Sequence, residues 1–335
     1  MKWNSALVLL LVISVAQAFA TPVPRAERVL VAIEEGGAIL LSAQTGQVLQ
    51  TYKTGSNAFG ALFSVDGRRA FVTDKDKGTL SEISLTDNSV LETIVVGTQP
   101  QQPAVTSDGR LYIPMSGEAS VAVVDTSRGL KLLRKIPTGT GTKPHIVSLA
   151  PDEKLLWVTV QGNDPKVMAI VIAGNGEKLA KEFRYDIVPR VVAASNGAAY
   201  FTGHHSTGLH LAVAATGIVS TPYLDVNGPF SEAAKQIEGV TVLPEGHLIG
   251  LTHEGRKALI TLDTAKKSPK KACDIEPLAD KPYWVSLDSS GDVAYVSIPG
   301  KGLVEAYDIT MCSRTPLWST KIGGKAKRMA ITNTP

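Results

Sequence analysis

A turn followed by a short apolar strand recurs along this chain at intervals that restrict the fold more than any other feature. The turns read Asp66-Gly67-Arg68, Asp108-Gly109-Arg110, Asp152-Glu153-Lys154, Asn196-Gly197, Glu245-Gly246 and Ser290-Gly291-Asp292. The strands behind them centre on Phe71, Tyr112, Trp157, Tyr200, Ile249 and Tyr295, and a seventh copy around Leu30 has no such turn before it. Successive centres lie 41, 41, 45, 43, 49 and 46 residues apart. Repeats of that length are pairs of helices or four-stranded sheets. Helices are excluded, because the segments are short, rich in Val, Ile, Thr and aromatic residues, and cut at short intervals by Gly and Pro. The pattern predicts an all-β fold, a seven-bladed β-propeller with four antiparallel strands per blade.

The centred strand reads as the second of each blade. Third strands are expected at 121–125, 258–263 and 304–308, and fourth strands at 48–52 and 91–95. The blade around Leu30 then lacks an innermost strand. Residues 328–332 match 144–148 in character and are predicted to supply it, closing the ring and leaving no free edge.

Lys2, an apolar run at 6–15 and the small-residue pattern Ala18-Phe19-Ala20 predict a signal peptide at 1–20. The expected organisation is that leader followed by one propeller domain at 21–335, secreted or periplasmic, with no span left after cleavage. Lys2 is the leader's only charge, so 33 basic and 31 acidic residues remain. With so balanced a charge, 6 % aromatic residues and no basic run interleaved with aromatics, nucleic acid is not an expected partner. No metal-ligand spacing of Cys and His occurs. Cys273 falls on the predicted fourth strand of blade six and Cys312 at the end of the third strand of blade seven. These are outer positions on neighbouring blades, and a disulfide and two buried thiols are both open.

In a propeller, the links between blades share one face with the links between second and third strands. We call this the linker face. The residues entering the innermost strands ring the axis there, and loops on a rigid scaffold are where binding groups concentrate. This reading gathers Asn57 to Phe59, Gln101, Gln102, His145, Arg190, Glu238, Tyr283, Trp284, Lys327 and Arg328. The second set of links adds Lys75, Asp76, Lys77, His204, His205 and His253, so four of the six histidines fall on one face. Residues 224–239, the longest insertion, lie on the same face and read as a lid or as packing over the channel.

Phe71-Val72-Thr73-Asp74, Trp157-Val158-Thr159-Val160, Tyr200-Phe201-Thr202-Gly203 and Tyr295-Val296-Ser297-Ile298 resemble the tetrapeptide of YVTN-repeat propellers. That family, which includes quinoprotein amine dehydrogenase-like and lactonase-like members, implies the fold and leaves the activity open. Lys143-Pro144-His145 and Pro189-Arg190 resemble the His and Arg motifs of the 6-phosphogluconolactonase and cycloisomerase propellers. That resemblance implies His145 as general acid or base and Arg190 as holder of a carboxylate or oxyanion. Val188 and Val191 stand where that family has glycine and histidine, and Gly203-His204 where it has Asn-Glu. The stretch 199–204 is similar to the segment bearing a distal histidine in the d1-haem propeller of nitrite reductases, which implies His204 as a ligand.

Three functions are therefore expected. The first is a binding propeller that takes a small anion or a protein partner on its linker face, with Gln102, Glu238, Tyr283, Lys327, Arg328, His204, His205 and His253 as ligand-binding residues. The second is a lactonase or isomerase using His145 and Arg190. The third is a haem- or metal-binding propeller. The sequence names no cofactor.

Overall fold

The turn–strand repeat forms the first hairpin of six of the seven blades. The computed structural model describes residues 27–173, 176–195, 197–204, 208–225, 237–243, 246–264 and 270–332, and the predicted leader at 1–20 lies outside them. The strands form seven four-stranded antiparallel sheets, a seven-bladed β-propeller. All seven sequence anchors sit on second strands: Phe71 on Arg69–Asp74, Trp157 on Leu155–Gly162 and Tyr295 on Val293–Ile298, for example. These strands are buried on both faces, which explains why they read as apolar runs rather than as alternation. The outermost strands, such as Val48–Tyr52 and Lys131–Pro137, expose most of their residues.

The ring closes as the sequence indicates. Lys325–Ile331 pairs antiparallel with Arg28–Glu34 and sets Val29 opposite Ile331, Leu30 opposite Ala330 and Val31 opposite Met329. Thr332 ties the end, its N–H donating to Arg28 O at 3.0 Å while its hydroxyl accepts the Arg28 N–H at 2.9 Å. The closing strand begins three residues before the predicted start. One inner strand is much shorter than the rest: Ala104–Val105 in blade three. Pro100 and Pro103 lack the N–H groups a longer ladder would need.

A hydroxyl at one repeat position bolts neighbouring blades together. Thr73, Thr159, Thr252 and Ser297 are fully buried, the hydroxyl residues of their second strands. Each accepts a backbone N–H from its own inner strand, from Gly60, Ile146, Gly239 and Trp284 respectively. Each also donates to the next blade's inner strand, at Gln101, Arg190, Tyr283 and Lys327 O. The Thr or Ser of the repeated tetrapeptide is thus an inter-blade fastener. Thr159→Val keeps the shape but strands the Ile146 N–H and weakens the tie to Arg190. It is expected to cost about 2 kcal/mol, read as a lower midpoint in denaturant with unchanged slope.

Cys273, on Lys270–Ile275, and Cys312 form a disulfide with Cα atoms 5.4 Å apart, a covalent tie across the seam between blades six and seven. The third strand of blade seven ends at Asp308, so Cys312 lies in the link beyond it rather than at the strand end.

Candidate functional site

A bulge repeated in the inner strands builds the axial ring. The register shifts between Ala58 and Gly60, Pro144 and Ile146, Pro189 and Val191, and Ile237 and Gly239. The extra residue at each shift is Phe59, His145, Arg190 or Glu238, and a bulge re-aims the side chain it carries. Tyr283 and Lys327 take the equivalent position, fixed by the same fasteners from Thr252 and Ser297. Gly60 and Gly239 follow directly. A Cβ there would fall 2.7 Å from Gln101 O or 3.0 Å from Trp284 Cα of the next blade, so glycine best admits this approach of adjacent blades.

The ring residues meet. Phe59 and His145, two blades apart, have ring centroids 6.4 Å apart. Arg190 binds Glu238 at 2.5 Å. Lys327 binds Glu34 at 2.9 Å and lies 5.0 Å from the Tyr283 ring centre. Arg328 is 1 % exposed, its guanidinium held 4.6 Å from the Phe59 ring centre and 4.8 Å from that of Trp284. Its Nε and Nη1 have no hydrogen-bond partner among the described residues. Lys75, from the link after Arg69–Asp74, stands 4.7 Å from the Phe59 ring centre.

Electrostatics follow from this geometry. Loss of hydration pushes the His145 imidazole well below its ordinary pKa, and Arg328 adds to the effect. The Arg190 carbonyl lies 3.0 Å from His145 Nδ1 and can only accept, so Nδ1 carries the proton and Nε2 keeps the lone pair. Burial lowers Lys75, with Arg328 and Lys327 acting in the same direction. Burial alone would raise the Tyr283 phenol, yet Arg328 and Arg190 outweigh it and hold it below the ordinary value. Burial, with Glu254 adding to it, raises the Glu238 carboxyl to about 7 against the pull of Arg190.

Most, but not all, of the residues singled out in the sequence converge here. His145, Arg190, Glu238, Tyr283, Lys327 and Arg328 form the ring. Gln102 does not present its amide to it. Nε2 donates to Ala61 O at 2.9 Å and Oε1 accepts the Ala61 N–H at 3.3 Å, so Gln102 replaces a backbone partner for the neighbouring inner strand. His253 is held in a turn. It is 1 % exposed, and its Nδ1 accepts the Arg256 N–H at 3.3 Å, the turn-capping role Asp74 plays for Lys77 in blade two. His204 ends the strand Ala198–His204, and His205 lies outside the described residues, as do 226–236 of the expected lid. Ile237, near the end of that expected insertion, begins the inner strand Ile237–Val242. Among the described residues no group of three His, Cys, Asp or Glu could hold a metal ion. Glu34, the counterion of Lys327, went unnoticed in the sequence, where it is one more polar residue at a strand end.

Solved structures with this fold span several chemistries. A periplasmic gluconolactonase from Pseudomonas aeruginosa superposes with a TM-score of 0.75 at 16% identity, covering 92% of this chain and 99% of that one. A putative 6-phosphogluconolactonase from Bacteroides fragilis gives 0.70 at 16%, over 91% and 97%. Hydrazine synthase from Kuenenia stuttgartiensis gives 0.64 at 21%, over 79% of each. At these identities the likeness is one of fold. No family model and no curated protein matches the chain.

Proposed function

We propose that this chain is a binding propeller whose ligand is a small anion, a carboxylate or phosphate, held at the axial ring on the linker face. The observation that carries this reading is the set of cations gathered at the ring, Arg190, Lys327, Lys75 and the buried Arg328, facing the carboxylates Glu34 and Glu238. The Tyr283 phenol, buried yet held below its ordinary value by Arg328 and Arg190, agrees with an excess of positive charge there. Glu34 and Glu238 balance Lys327 and Arg190, while Lys75 and Arg328 lean on the Phe59 ring. In a water-poor mouth that surplus concentrates an anion. Export to the periplasm or beyond fits the disulfide, since such bridges persist in oxidising compartments. No helix among the described residues is long and apolar enough to cross a membrane.

Thermal unfolding with inorganic phosphate and gluconate as probes tests the reading. An anion at 100 times its dissociation constant should stabilise by about 2.7 kcal/mol, a rise of roughly 5 °C for a domain of this size. Lys75→Ala should weaken that rise, and Arg328→Met should remove it while leaving the melting point within a few degrees. Methionine keeps the contact with Phe59 and Trp284, and replacing a buried ionic group by an apolar side chain of similar length is often close to neutral. No shift with any carboxylate or phosphate would sink the anion reading and leave a protein partner as the occupant of this face.

A second reading has its own support. His145 is neutral with a free Nε2, and Glu238 titrates near neutral pH beside Arg190. A base, an acid and a cation on three successive blades suit the opening of a lactone, with His145 activating water and Arg190 stabilising the oxyanion. Hydrolysis of glucono-δ-lactone above the spontaneous rate, lost in His145→Gln, would establish it.

A further inference from the structure

The axis has a second mouth. A cavity of about 540 Å³ runs from the layer just below the ring, at Gln102, Ile146 and Trp284, to the opposite face, where Val65 and Pro151 flank its opening. That face carries the turns between first and second strands, and Val65 there is 56 % exposed. The volume lies within the range of about 300–1,000 Å³ typical of small-molecule pockets.

Its chemistry is opposite to that of the ring. No charged side chain lines it. Two polar side chains on its wall are engaged, Gln102 with Ala61 and the Ser148 hydroxyl accepting the Ala194 N–H at 2.9 Å, while the inner strands, paired on one side only, turn a backbone edge toward the axis. Trp284 donates its indole N–H to Met329 O at 3.0 Å. Val147, Ala193, Val240 and the half-buried Thr241 complete the wall. A charged guest would leave water without finding an opposite charge. A cation would also face Arg328, which stands behind the Trp284 ring at 4.8 Å.

We propose that this cavity is a second ligand site, distinct from the axial ring, and that it takes an uncharged small molecule entering past Val65. The ring side chains Phe59 and His145 narrow the other mouth, so the two sites are filled from opposite faces.

N-phenyl-1-naphthylamine, an uncharged dye that brightens in apolar surroundings, is the probe. The intact protein should bind one equivalent saturably. Thr241→Trp fills the cavity and should weaken binding at least tenfold. Val65→Asp alters only the exposed mouth, leaves the core intact and should weaken binding severalfold. Lys75→Ala, on the linker face, should leave dye binding unchanged whether or not it alters anion binding. If Thr241→Trp lacks a cooperative melt, Val65→Asp decides. Absence of saturable binding, a stoichiometry well above one, or equal affinity in the intact protein and Val65→Asp would overturn the proposal.

Discussion

Deletion of residues 328–335 is expected to abolish cooperative folding of the whole ring, not merely to loosen one blade. The deletion removes most of the paired part of the closing strand and leaves Val29, Leu30 and Val31, each fully buried, with an unpaired edge. Met329 and its carbonyl, which accepts from both Trp284 and Ser286, go with it. So does Arg328, whose loss opens the space between Phe59 and Trp284. Four or so ladder bonds at about 1 kcal/mol each, one buried methionine and the exposed aromatic faces amount to about 8 kcal/mol. A domain holds only about 5–15 kcal/mol in total. Circular dichroism during heating should show no cooperative transition for the shortened chain. A melt within a few degrees of the intact protein would refute the view that the ring needs this strand.

Much of this architecture is legible in the residues. The anchors are readable because each pairs a turn residue with an apolar run buried on both faces, and the period then counts out every other strand. The ring is readable for the same reason: counting back from each anchor lands on one inner-strand position per blade. What the count cannot give is where a polar side chain goes. Gln102 and Arg328 sit one residue past the ring position in their blades. One pairs with backbone and the other lies between two aromatic rings. His253 looks like any loop histidine until its turn is built and an N–H falls on Nδ1. The hydroxyl fasteners were visible as a repeated Thr or Ser, but their two hydrogen bonds need the neighbouring blade. The open mouth on the turn face was unreadable, since its walls are ordinary Val, Ala and Ile.

Replacing Arg190 should cost about 1.4 kcal/mol more at pH 8 than at pH 5. Glu238 has a carboxyl raised by burial to about 7, above the ordinary value near 4.3 that it would have unfolded. Between those values the folded chain binds more protons than the unfolded one, so this group's contribution to stability is complete below about pH 4.3 and is lost as the pH rises through 7. Arg190 opposes that loss by pairing with the ionised carboxylate. In Arg190→Ala the buried carboxyl, without this partner, stays protonated to higher pH rather than ionising. At pH 5, where Glu238 is protonated in both chains, the expected cost is about 1 kcal/mol, the worth of a hydrogen bond. At pH 8, past the native carboxyl's value of about 7, it rises to about 2.4 kcal/mol, since one pH unit is worth about 1.4 kcal/mol. His145 works the other way, because its depressed pKa lowers stability as the medium turns acid. The difference between the native chain and Glu238→Gln therefore isolates the carboxyl, while Arg328 and Glu254 stay in place in both. Denaturant melts of Arg190→Ala, Glu238→Gln and the double variant at both pH values complete the cycle. An Arg190→Ala cost that is the same at pH 5 and pH 8 would show that the pair is not ionised in the folded ring. The lactone-opening reading, which relies on Glu238 exchanging a proton near neutrality, would fall with it.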